Sequence, residues 1–149
     1  MSVITRRTAL AGGLGGLSLL VLRSPAFATP TELAGAIAEF TGGVTPQRGR
    51  LKLDLPPLVE NGNSVSVTLR AESPMTQAEH VRAMAIFTEQ NPQPNVATFR
   101  IGPRAGRAVI NTRMRLATSQ KVIAIAGYSD VSFWSDQVEV IVTLAACVE

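Results

Sequence analysis

Chemistry-bearing side chains are scarce in this chain of 149 residues, which has one histidine, one cysteine, one tryptophan and one tyrosine, and only 17% charged residues. A single cysteine excludes any disulfide within the chain. One histidine beside it supplies neither the ligand count nor the spacing of a metal site, so no metal and no cofactor are expected. No apolar run reaches the roughly 20 residues that cross a bilayer as a helix. The longest candidate, residues 8–22, is diluted by Gly12, Gly13, Gly15 and Gly16, which argues against a permanent membrane anchor. A surplus of one charge is missing too, once the first residues are set apart. Of the 14 Lys and Arg, Arg6, Arg7 and Arg23 lie in the first 28 residues, so residues 29–149 balance 11 cations against 11 carboxylates. Nucleic-acid binding needs a clustered basic surplus, and that class is excluded.

What is present begins with the order of an export signal. Arg6-Arg7 precede a short, weakly apolar, glycine-rich stretch, and Ala26 and Ala28 offer the small residues read at a cleavage site. The paired arginines and modest hydrophobicity point to a twin-arginine signal over residues 1–28, cleavage after Ala28, and a folded product in the periplasm. An ordinary secretory signal with a basic start is the alternative. Setting aside 28 of the 149 residues leaves a chain near the commonest size for one domain, large enough for a core without staples.

Thr29-Pro30-Thr31-Glu32 reads as a capping box with proline at the first helical position. The helix that follows has Leu33, Ile37 and Phe40 on one face and stops at Gly42-Gly43. Beyond it the period becomes two. Leu51, Leu53 and Leu55 alternate with Lys52 and Asp54, and Val65, Val67 and Leu69 with Ser66 and Thr68, as in half-buried strands. Between them Pro56-Pro57 and Glu60-Asn61-Gly62-Asn63 signal a turn. Further strands are predicted at 81–88, 96–101, 108–116, 122–126 and 138–144, separated by Asn91-Pro92-Gln93-Pro94, Gly102-Pro103 and Tyr128-Ser129-Asp130. About seven short strands with frequent turn residues predict an all-β, two-sheet sandwich over 29–144 with one short N-terminal helix. Phe87, Phe99, Phe133 and Trp134 are assigned to core and edge packing.

Catalytic constellations are hard to assemble from such a composition. His80 starts a strand and is assigned to the surface. Neither Gly42-Gly43 nor residues 102–107 have the strand before and helix after that a phosphate loop requires. Cys147 as nucleophile with His80 as base is a minor alternative, since such partners need to meet only in space. In the strand at 138–144, Val138, Val140, Val142 and Leu144 form the apolar face. Continuing the alternation puts Cys147 on the face of Glu139 and Thr143, away from the core. Third from the end of the sequence, its thiol is expected on a mobile arm, residues 145–149. No Lys, Arg or His follows Lys121. The sequence neighbourhood thus disfavours a thiolate and suggests a thiol loaded by another protein rather than a self-activated nucleophile. A small buried hydrophobe at a strand end is the bland alternative.

A set of segments resembles the SoxY family of sulfur-carrier proteins. They are Leu53-Asp54-Leu55-Pro56, Glu60-Asn61-Gly62-Asn63-Ser64-Val65, Ser73-Pro74-Met75, Asn91-Pro92-Gln93-Pro94, Thr98-Phe99 and Gly106-Arg107-Ala108. Thr112-Arg113-Met114-Arg115-Leu116-Ala117, Ser132-Phe133-Trp134 and Val138-Glu139-Val140-Ile141-Val142-Thr143 continue the likeness in order along nearly the whole mature chain. The resemblance implies an immunoglobulin-like sandwich paired with a small β subunit, SoxZ, and a C-terminal cysteine that bears sulfur intermediates covalently, here Cys147. It also implies three kinds of partner enzyme: a haem-containing enzyme that conjugates thiosulfate to the thiol, a hydrolase that releases sulfate, and an oxidase for the remaining sulfane sulfur. The chain itself is then a carrier and no enzyme.

Two departures from the family pattern stand out. The family arm reads Gly-Gly-Cys-Gly-Gly, whereas this chain has Ala145, Ala146, Cys147, Val148 and Glu149. Glycine gives a thin arm free to adopt positive φ, and the residues here restrict both width and conformation. Val131 stands between Asp130 and Ser132 where the family commonly has glycine. Two further readings stay open: a SoxY-like subunit that assembles without being loaded, and a generic extracytoplasmic binding sandwich that uses Cys147 for an intermolecular disulfide.

Overall fold

The computed structural model describes residues 27–146. The predicted signal up to residue 26, and the arm residues Cys147, Val148 and Glu149, lie outside the described residues.

Helix α1, Pro30–Thr41, begins at the expected capping box: the Thr29 hydroxyl accepts from the Glu32 amide at 3.2 Å, and the Glu32 carboxylate accepts from the Thr29 amide at 2.6 Å. Bonding first to that backbone amide and second to the Thr29 hydroxyl holds the Glu32 carboxyl below its usual range. Gly42, in the left-handed region at φ 64°, ends the helix by returning its amide to the Ala38 carbonyl.

Nine strands follow: β1 (Gln47–Arg48), β2 (Leu51–Asp54), β3 (Leu58–Asn61), β4 (Val65–Ala71), β5 (Val81–Thr88), β6 (Asn95–Arg100), β7 (Val109–Met114), β8 (Gln120–Tyr128) and β9 (Phe133–Leu144). A six-stranded sheet runs β1-β9-β8-β5-β6, with β3 also on β9, and a three-stranded sheet runs β2-β4-β7. β9 is antiparallel to β8 but parallel to β1 and β3, which share its outer edge: β1 pairs with Trp134 and Ser135, β3 with Ile141, Val142 and Leu144. Between those two pairings Asp136 reaches across, its Oδ2 accepting from the Leu53 amide of β2 at 2.8 Å and tying the two sheets together.

The alternating residues of the two sheets meet in the main core, where Leu53, Leu69, Met84, Ile86 and Val122 are fully buried and Phe99 and Trp134 pack from the margin. A second core lies on the outer face of the large sheet. There α1 sets Leu33, Ile37 and Phe40 against Phe87, Ile125 and Phe133, and Phe40 meets the rings of Phe87 and Phe133 edge-on at 5.9 Å each. The molecule is thus three layers deep. With both faces covered, β5 and β8 read as nearly continuous apolar runs instead of alternating ones.

One end of the sandwich is closed around Tyr128. Its buried hydroxyl lies between the carbonyls of Arg50 (3.1 Å) and Glu72 (2.9 Å), which share its one proton, and burial pushes its phenol pKa up. The Arg50 guanidinium lies 4.4 Å from the ring centroid and donates to the Glu79 carboxylate.

At the same end, the β8–β9 turn places Val131 at φ 65° with 58% of its surface exposed, so a β-branched residue occupies a left-handed position. Asp130 keeps the turn closed by accepting from the Ser132 amide (3.0 Å) and hydroxyl (2.6 Å). Left-handed backbone costs a non-glycine residue about 1–2 kcal/mol, and glycine's extra unfolded-state entropy costs about 0.5–1 kcal/mol. Val131→Gly is therefore expected to stabilise the domain by about 0.5–1 kcal/mol, read as a rise of a few degrees in Tm; an unchanged or lower Tm contradicts this.

The described residues form the expected immunoglobulin-like β-sandwich with a short N-terminal helix. The strand count differs because β1 and β3 are short edge pieces without alternation of their own. Glu60 and Asn61, assigned to the turn, belong to β3, which pairs with β9, and the turn is confined to Gly62 and Asn63, where the Asn61 side chain accepts from the Asn63 amide at 2.9 Å. β9 also begins five residues earlier than expected, at Phe133.

Candidate functional site

Residues 144–146 leave β9 through a ring of main-chain hydrogen bonds. The Gly62 amide donates to the Leu144 carbonyl (2.8 Å), the Leu116 amide to the Gly62 carbonyl (2.8 Å), and the Ala146 amide to the Leu116 carbonyl (3.1 Å). Ala145 is exposed while Ala146 is buried at 5% exposure. The alternation of β9 ends at the exposed Leu144, and the segment assigned to a free arm from residue 145 onward is instead docked through Ala146 by its bond to Leu116. Cys147 is its next bonded neighbour.

Each member of the ring is fixed by its own local structure. Gly62 has room for no side chain: a Cβ there would meet the Leu116 carbonyl oxygen at 2.5 Å and the Ala146 nitrogen at 2.9 Å. Leu116 is held by Asn91, whose side chain accepts from the Ala117 amide (3.0 Å) and donates to the Arg115 carbonyl (2.9 Å), bracketing it on both sides. Asn91 is buried and further braced by the Gln120 side chain at 2.8 Å, while its carbonyl accepts from the Ala28 amide at 3.1 Å. Ser119 extends the β8–β9 ladder toward the arm by accepting from the Val142 amide at 2.9 Å. Thr143 donates from its hydroxyl to the Glu60 carbonyl of β3 at 3.1 Å.

Sequence reasoning missed this role for Asn91, which it took for a turn residue beside Pro92. The available signal was its type: an amide side chain has the acceptor and donor pair that can span two main-chain groups of another loop. The fold also revises the charge picture around the arm. Arg115 is exposed and adjoins Leu116, so a cation stands near the arm root although none follows Lys121 in the sequence.

His80 is elsewhere. It precedes β5, whose Val81 pairs with Tyr128 at one end of β8, whereas the arm leaves beyond the Gln120 end, where Gln120 pairs with Val140. The nine residues of β8 span about 25 Å at ~3.3 Å per residue. His80 accordingly makes local bonds, its Nδ1 to the Thr76 carbonyl at 3.1 Å and its amide to the Ser129 hydroxyl at 3.2 Å, and is not brought toward the arm. Among the described residues, no group of three or more His, Cys, Asp or Glu is placed to hold a metal ion, and no helix is long and apolar enough to cross a membrane.

Comparison with known proteins adds to this geometry. The family model described as "SoxY: Sulfur oxidation protein SoxY" matches residues 37–147, a span that reaches the cysteine. None of the curated proteins matches the chain. Among solved structures, the sulfur carrier protein SoxY from Chlorobium limicola f thiosulfatophilum is similar at 28% identity and a TM-score of 0.62, covering 76% of this chain and 98% of that one. Superoxide reductase (neelaredoxin) from Ignicoccus hospitalis is similar at 16% identity and a TM-score of 0.57, covering 78% and 95%. Superoxide reductase from Nanoarchaeum equitans follows at 11% identity and 0.53, covering 64% and 99%. At such identities the last two share the fold alone.

Proposed function

Because this chain belongs to the SoxY family of sulfur oxidation proteins, we propose that it is a sulfur carrier whose Cys147 thiol holds intermediates covalently while other proteins act on them. The observation that supports this most is the placement of the sole cysteine: it directly follows Ala146, which the main-chain ring fixes at the open end of β9, inside the family-matched span. A reactive centre of its own would need a base or a metal beside it, and His80 lies at the opposite end of the sandwich.

In the loading step the S–H bond of Cys147 breaks and an S–S bond forms to the sulfane sulfur of thiosulfate, releasing one proton and two electrons. A haem-containing partner enzyme accepts the electrons. Hydrolysis then cleaves the bond between the two thiosulfate-derived sulfurs with water, giving sulfate and leaving a persulfide on Cys147, with no net electron transfer. A sulfane oxidase then oxidises the outer sulfur of the persulfide with oxygen from water, passing the electrons to an acceptor protein, and a second hydrolysis releases that sulfur as sulfate and restores the thiol. The working form is a heterodimer with a SoxZ-like β subunit in the periplasm, a location that rests on the paired arginines and small residues of segment 1–28.

Intact-mass measurement on protein incubated with thiosulfate and the conjugating enzyme tests the carrier role. The expected result is a mass gain of one thiosulfate group that disappears completely in Cys147→Ser. Unmodified protein in stable complex with the β subunit sinks the carrier role and favours a subunit that only assembles. A doubled mass lost on reduction assigns the thiol to an intermolecular disulfide.

A further inference from the structure

We propose that the cleft between helix α1 and strands β5 and β6 is a binding site for a small organic carboxylate with an apolar body, its head group held by Arg82 and Arg100. The cleft measures about 870 Å³, within the range of small-molecule sites. It arises because α1 packs over Phe87 and Phe133 and stands off from the edge strand β6. Arg82 and Gly127 lie at the Tyr128 end of the large sheet, whereas the arm leaves from the Gln120 end. The cleft is thus separate from the arm root, and its ligand is not the sulfur cargo.

The floor carries almost no side chain. Ala83 of β5 and Gly127 of β8 are register partners, and from the helix Ala36 adds only a methyl group to the lining. A Cβ at Gly127 would come within 2.8 Å of the Phe133 ring, so that ring lies against bare backbone and, with Phe40, makes an apolar wall. A ligand body of about ring size has a surface to cover there.

Charge stands at the sides. Ala85 belongs to the second core, so its register partner Thr98 and, two residues on, Arg100 face the cleft from β6. Arg82 sits where the register of β5 on β8 shifts, between Val81 and Ala83, and such bulges re-aim a side chain. Its Nε donates to the Tyr128 carbonyl at 2.9 Å, which fixes the guanidinium and leaves its terminal nitrogens as donors to a ligand. Neither arginine is in an ion pair among the described residues. One carboxylate, Glu39, lines the helix side. Two cations against one anion select an anionic head group, and the guanidinium fork matches a carboxylate through two parallel bonds.

Titration of the full chain with 2-naphthoate, alone and with the β subunit, tests the site by calorimetry and amide chemical shifts. Saturable one-to-one binding is expected with a Kd of about 1 mM or tighter, and the largest shifts at the Ala83 and Gly127 amides. 2-Naphthamide, which keeps the body without the charge, and acetate, which keeps the charge without the body, are each expected to bind at least about tenfold more weakly. Arg82→Gln and Arg100→Gln are each expected to raise the Kd about fivefold, and Glu39→Gln to lower it about twofold by removing a like charge. Should Arg82→Gln disturb the fold through its lost bond to Tyr128, Arg100→Gln, at an exposed side chain, decides alone. No saturation by about 10 mM overturns the proposal. Equal binding of the amide or of acetate, or a Kd unmoved by Arg100→Gln, overturns it as adventitious binding only. Binding to the chain alone that vanishes with the β subunit overturns it by assigning the cleft to the heterodimer interface. Each outcome is independent of whether Cys147 is loaded.

Discussion

A Phe87→Ala protein is expected to unfold about 10–20 °C below the parent. Phe87 is fully buried in the second core, between Ile125 and the edge-on ring of Phe40. Truncating such a ring removes its transfer free energy and leaves a cavity, together about 3–5 kcal/mol, and each kcal/mol moves the midpoint of a domain this size by about 3–5 °C. Phe87 contributes to the docking of α1 on the sheet, so helix amides are expected to exchange faster than those of β8. Thermal unfolding followed by circular dichroism, with hydrogen exchange on the same sample, gives both numbers. A fall in Tm of less than about 5 °C means the cavity collapses and the helix layer is not held as described.

The second large effect is expected from one added methyl group. Gly62→Ala places a Cβ against two backbone atoms, the Leu116 oxygen and the Ala146 nitrogen, with the Val142 side chain a third neighbour at 3.1 Å. Backbone atoms in a hydrogen-bonded ring yield less readily than a side-chain tip. Overpacking of this kind costs about 1–3 kcal/mol, or about 5–10 °C in Tm here. The easiest part to give way is the bond from Ala146 to Leu116, so the Ala146 amide is expected to lose protection while the β8–β9 ladder keeps it. Undiminished protection at Ala146 contradicts the role assigned to Gly62.

Much of the fold is legible in the residues because local rules and the final environment agree. Thr29 and Glu32 make the bonds their spacing predicts. The leucines of β2 and the valines of β4 bury the face their alternation marks. Residues 81–88 form β5 with the predicted bounds. The failures share one cause. β1 and β3 exist only because β9 offers an edge to pair with, and a strand made by its partner leaves little trace in its own residues. The first residues of β9 escape notice because Trp134, Ser135 and Asp136 are all half-buried, with β1 alongside and Asp136 turned to the other sheet.

The candidate site divides the same way. Cys147 is visible as the sole cysteine of the chain. What anchors the residue before it is not, because that ring consists of main-chain groups drawn from positions 62, 116, 144 and 146, and peptide groups look alike in every sequence. Only Gly62 carries a mark, as the residue that leaves space where others would intrude.

The order of strands in the large sheet sets a sequence of events in folding. β9 follows the other eight strands in the chain, yet β1, β3 and β8 all pair with it, and its Asp136 is the link to β2. A nascent polypeptide still missing residues 133–144 has two orphaned segments and an unfinished edge, and native pairing must wait for synthesis to pass that point. Cys147 follows the end of that strand by three residues, so it is synthesised only after the last partner of the large sheet is in place.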